Sequence, residues 1–157
     1  MEVATRIADR LCDASPRRVV GWCPGTGEVA RLDAIDERDR DDERARWVAD
    51  GFVEVPRPDG LTEWRWRSEF VRLRVSEPTL KKRLGRMLRA GKGRFGFERA
   101  LALHPGAQRA FAEFRRHQLI DFVTEWLRDG ADPPRGDAGA PGNRKPMPPS
   151  GQTTRRP

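Results

Sequence analysis

Arg18-Val19-Val20-Gly21-Trp22-Cys23-Pro24-Gly25-Thr26-Gly27-Glu28-Val29-Ala30-Arg31-Leu32 separates an all-helical chain from a mixed one. Its two ends, 18–23 and 28–32, hold residues that favour extended backbone, and the Pro24 to Gly27 link has the composition of a turn. Two such runs so close together predict an antiparallel hairpin. Farther on, Gly51-Phe52-Val53-Glu54-Val55 alternates in character and is stopped by Pro56-Arg57-Pro58-Asp59-Gly60, so it is read as a third strand.

The rest of the chain carries helical spacing. Val3, Ile7, Ala8 and Leu11 share one face of a short first helix that Ser15-Pro16 ends. Residues 33–50 are dense in acids and arginines, with Asp36 before Arg40 and Asp42 before Arg46 at four-residue spacing, the favourable order on a helix. Having few apolar residues, that segment reads as a solvated face rather than an acidic binding site. Trp64, Trp66, Phe70, Val71 and Leu73 fit neither period cleanly; residues 61–73 are expected to be a helix with Thr62 as N-cap.

Residues 76–90 give a better-divided helix, followed by Gly91 at the position where left-handed backbone is common. Leu80, Leu84, Met87 and Leu88 fall on one side, and Lys82, Arg83, Arg86 and Arg89 on the other. The run Gly91-Lys92-Gly93-Arg94-Phe95-Gly96-Phe97-Glu98 adds two more cations and two rings expected to be buried. A short helix is predicted over 97–103, ended by His104-Pro105. Over 106–129, Phe111, Phe114, Leu119, Phe122, Val123 and Trp126 then form the strongest apolar stripe.

These elements predict an α+β fold in which a small antiparallel β-sheet, hairpin plus third strand, is covered by several α-helices, the last long and aromatic. Residues 1–130 are expected to share one core as a single domain. Residues 131–157 are Pro, Gly, Ser, Thr and Arg with almost nothing to bury, and are expected to be a disordered tail with three surplus cations.

The 157 residues carry a net charge of +7, unevenly spread. Residues 76–100 hold eight Lys/Arg against two acids, and residues 33–50 hold eight acids against four arginines. A positive end and a negative patch follow, the first attractive to polyanions.

Gly91-Lys92-Gly93-Arg94-Phe95-Gly96-Phe97, followed by Phe111-x-x-Phe114-Arg115 and Glu125-Trp126-Leu127, resembles the bacterial uncharacterised protein family numbered 158 in the UPF series. The resemblance covers roughly residues 5–130, and its C-terminal half is the more specific. Phe111 stands where that family usually has Trp, and Phe97 precedes the usual second Phe by one position. The resemblance implies no activity.

Catalytic readings find little support in the residues. A Walker loop needs four residues between its glycines and Ser/Thr after the Lys, whereas five residues separate Gly85 from Gly91 and Gly93 follows Lys92. Cys12 and Cys23 lack the partners of a zinc site and read as reduced small hydrophobes. His104 is explained by capping and His117 lies off the aromatic stripe, so no enzyme, cofactor or metal is expected. Base stacking by Trp64 and Trp66 ranks below a core role for tryptophan.

The expected function is a cytoplasmic, non-catalytic module that presents Lys82, Arg83, Arg86, Arg89, Lys92 and Arg94 to a polyanion such as nucleic acid. The alternative is a protein-interaction or regulatory module, self-association included, that uses the acidic and basic patches. No signal segment or membrane span is expected.

Overall fold

A computed structural model describes residues 2–13, 18–32, 37–91 and 93–130. Along them run α1 (Glu2–Asp13), β1 (Val19–Trp22), β2 (Val29–Leu32), α2 (Glu37–Ala49), β3 (Val53–Glu54), α3 (Gly60–Leu73), α4 (Pro78–Arg89), α5 (Gly93–Leu101) and α6 (Pro105–Arg128). The strands form one antiparallel sheet in the order β2-β1-β3, which gives the expected α+β architecture. Among the described residues no helix is long and apolar enough to cross a membrane. The basic segment 131–157, read as a disordered tail, lies outside the described residues.

The hairpin pairs Val19 with Leu32 and Trp22 with Val29. Its turn closes through the Cys23 amide donating to the Glu28 carbonyl at 2.9 Å and the Gly27 amide to the Cys23 carbonyl at 2.7 Å. Gly27 has φ 71°, a left-handed conformation that a side chain would strain. Gly21, in the middle of β1, is needed for space instead. The Trp47 indole of α2 lies against it, and a Cβ there would run into ring carbon Cζ3 and come within 2.7 Å of Cε3. Trp47 also stacks on Phe52, centroids 5.4 Å apart, and Arg44 pairs with Glu54 at 3.0 Å. These contacts hold a helix with little amphipathic character of its own.

The expected single core consists of two clusters. One gathers Ile7, Leu11, Val20, Val55, Trp66, Leu119 and Val123 between α1, the sheet and the C-terminal half of α6. The other gathers Phe70, Leu80, Leu84, Phe97, Leu101 and Phe111 between α3, α4, α5 and the N-terminal half of α6. Phe114 packs against both. The division follows from length: α6 has 24 residues, about 36 Å at 1.5 Å per residue, too long to serve one patch of core.

The same division explains why α3 was hard to read. Trp66 faces the first cluster, while Phe70 and Val71 face the second, so no single stripe forms. The helix also begins earlier than expected. Asp59, not Thr62, is its N-cap, with backbone at φ −70° and ψ 171°, and its Oδ1 accepts from the Thr62 amide at 2.7 Å. Asp is a strong capping residue because its carboxylate satisfies an amide that has no partner within the helix. That bond holds the Asp59 carboxyl below the ordinary carboxylate pKa. Likewise α5 starts at Gly93, four residues before the expected 97, and ends at Leu101.

Candidate functional site

Leu80 and Leu84 are buried against the second cluster, and Met87 and Leu88 pack on it partly buried. Docking by that face turns Lys82, Arg83, Arg86 and Arg89 outward, all of them exposed. At 100° per residue Lys82, Arg86 and Arg89 lie within about 60° of one another, and Arg83 about 60° beyond Arg86. Successive turns present them about 5.4 Å apart along the axis. From Pro78 to Arg89 there is no acid.

Four arginines elsewhere pair with carboxylates. Arg44 meets Glu54, Arg67 and Arg115 share Glu63, and Arg116 grips Asp9 through Nε–Oδ1 at 2.6 Å and Nη2–Oδ2 at 3.0 Å. The four outward cations of α4 have no such carboxylate among the described residues. Of the six predicted site residues the structure therefore brings together Lys82, Arg83, Arg86 and Arg89. Lys92 and the side chain of Arg94 lie outside what is described.

Beyond α4 the chain turns at Gly91, φ 62°, as predicted for that position. Gly93 is already the first residue of α5. The two rings expected to be buried part company: Phe97 is fully buried, whereas Phe95 is 86% exposed. Two residues span about 200° of helix, so one ring had to face outward once α5 began at Gly93.

Sequence reasoning missed a cleft beside this turn. Its volume is 440 Å³, and α3, the end of α4 and α6 wall it. Arg57, Glu63, Trp64, Arg67, Leu88 and Arg115 line it. Glu63 Oε1 accepts from Arg115 Nη2 at 2.7 Å and Nε at 3.1 Å, while Glu63 Oε2 accepts from Arg67 Nη2 at 3.2 Å. The Arg67 side chain is 9% exposed. Burial opposes the charge of Arg115, but the Glu63 bonds and charge outweigh it, with a smaller attraction from Glu98, and its pKa is raised. The four-residue spacing of Glu63 and Arg67 was visible in the sequence; Arg115, 52 positions from Glu63, gave no signal.

Neither histidine joins either surface. His104 is the N-cap of α6 without a side-chain capping bond, and its Nδ1 lies 3.6 Å from Glu77 Oε2 instead. His117 Nδ1 is 2.8 Å from the Glu113 carbonyl. Trp66 is buried, but Trp64 is 45% exposed in the cleft, so the tryptophan pair divides between core and surface.

No known family model, curated protein or solved structure matches this chain. The resemblance to family 158 of the UPF series thus rests on the motif residues alone.

Proposed function

We propose that this protein is a non-catalytic cytoplasmic module that binds a polyanion, nucleic acid in particular, through the outer face of α4. The observation that carries this reading is clustering: Lys82, Arg83, Arg86 and Arg89 stand exposed on one side of a helix that holds no acid, and none of them has a carboxylate partner among the described residues. Cations repeated at one-turn intervals on a rigid helix suit a row of phosphates, and arginine adds forked contacts that lysine cannot make. In the sequence, Lys92 and Arg94 add two further cations after Gly91. Exposed Phe95 places an aromatic ring on the same stretch.

Phosphate binding of this kind releases counterions. With about four contacts, log K should fall with log salt at a slope of about −3 to −4. The test is retention of nucleic acid by a folded Lys82→Glu/Arg86→Glu variant across a salt series. Loss of binding supports the reading; unchanged binding removes it.

A second reading, docking on a protein partner or a second copy through acidic α2 and basic α4, is favoured by Val48, which is 74% exposed on a mostly charged helix. It predicts that Val48→Asp abolishes a complex that survives nuclease.

A further inference from the structure

Phe95 stands 86% exposed on α5, whose other large apolar side chains, Phe97 and Leu101, are buried together with Ala100. Counted at 100° per residue, those three lie about 140° to 240° round the helix from Phe95, so the ring points directly away from the core. Arg99 follows one turn later, about 40° round and about 6 Å along the axis, and is exposed as well. It has no carboxylate partner among the described residues. Glu98, the one acid of α5, is half-buried, and its charge acts on Arg115.

This face continues the basic face of α4. Both helices dock on the same cluster, α4 through Leu80 and Leu84 and α5 through Phe97 and Leu101, with only the short turn around Gly91 between them. Their outer sides therefore adjoin, with Arg86 and Arg89 at the end of one and Phe95 and Arg99 on the next. No acid occurs between Pro78 and Phe97 in the sequence. A bare ring amid cations suits a base whose neighbouring phosphates those cations hold. In a duplex the base faces are stacked on one another, and only edges and phosphates are on show. An exposed ring set among phosphate contacts therefore selects an unpaired strand.

We infer that α5 carries a stacking subsite for single-stranded nucleic acid: a base lies on Phe95, Arg99 holds a neighbouring phosphate, and the strand runs on along Arg89, Arg86 and Lys82. This rests on the α4 reading above and adds to it the form of the strand and the residue that recognises it. Stacking tolerates any base, because every base has a π face, so the subsite sorts single strands from duplexes rather than one sequence from another.

The test compares a labelled oligothymidylate of about 16 nucleotides, near the upper end of single-strand site sizes, with a duplex of the same length across a salt series. The proteins are the full chain, Phe95→Ala, Phe95→Trp, Arg99→Gln and the Lys82→Glu/Arg86→Glu variant, each checked by circular dichroism. The full chain should hold the single strand more tightly than the duplex. Phe95→Ala should weaken the single strand about fivefold or more at every salt concentration, since a ring releases no counterion, and should leave the duplex unchanged. Phe95→Trp should restore the affinity. Arg99→Gln should instead flatten the single-strand salt slope by about 0.7. Equal single-strand affinity for the full chain and Phe95→Ala overturns the inference, as does a duplex held more tightly than the strand. An equal loss on both ligands, the mark of a ring wedged into a duplex, also overturns it. So does a dimer, seen by sedimentation, that Phe95→Ala dissolves while strand binding persists. Strand binding lost in Lys82→Glu/Arg86→Glu but indifferent to Phe95→Ala leaves the α4 interface and removes the subsite. Strand binding that needs Phe95 and survives Lys82→Glu/Arg86→Glu does the reverse, and no binding by the full chain removes both.

Discussion

Arg115 Nη2 stands 2.7 Å from Glu63 Oε1, joining the middle of α6 to the first turn of α3 across 52 residues of sequence. Because Arg67 uses the other oxygen of the same carboxylate, the three groups are unequal in importance. Glu63→Met strands two poorly solvated guanidiniums and should cost about 3 kcal/mol; Arg115→Met leaves Glu63 with Arg67 and should cost clearly less. Urea unfolding of both variants checks the order, and equal losses would contradict the shared arrangement.

Phe95 and Phe97 offer a second contrast. Phe97→Ala empties a fully buried site and should cost about 3 to 5 kcal/mol. Phe95→Ala removes a ring that is 86% exposed and should stay within about 0.5 kcal/mol. Thermal unfolding of the two variants distinguishes them. A large loss for Phe95→Ala would mean that this ring is packed.

At Gly21 a methyl group would have to displace the Trp47 ring from β1. Gly21→Ala should therefore cost about 1 to 3 kcal/mol and change the near-ultraviolet circular dichroism of tryptophan. A silent substitution would show that Trp47 does not lie on the strand.

Acid should loosen the joint between α1 and α6. The hydrogen bonds from Arg116 hold the Asp9 carboxyl below its ordinary pKa of 3.8, with help from the guanidinium charge and against a smaller effect of burial. The folded state therefore takes up this proton less readily than the unfolded state. The contribution is fully present above the ordinary carboxylate range and is lost as pH falls below about 4 and through the lowered value. Asp9→Asn should flatten that part of the stability profile, measured by urea unfolding between neutral pH and pH 3. Salt should weaken the effect, since both side chains are more than a third exposed.

Local signals carried the elements that were legible in advance. The hairpin announced itself by the Pro24 to Gly27 link, α4 by its divided faces, and α6 by its aromatic spacing. α4 was easiest because one face meets a single cluster and the other meets water. What stayed hidden depended on distant partners. Trp66 and Phe70 serve different clusters, so α3 lacked a clean period, and the early start of α5 turned Phe95 outward. The basic face could be read within one helix, whereas the cleft required Arg115 to arrive from α6.

Phe114 makes the two halves of the interior interdependent. Either half excised from the other would leave a bare aromatic surface on a severed α6, so neither is suited to life as an autonomous fragment. Heat or denaturant should accordingly melt the hairpin end and the basic end at one midpoint.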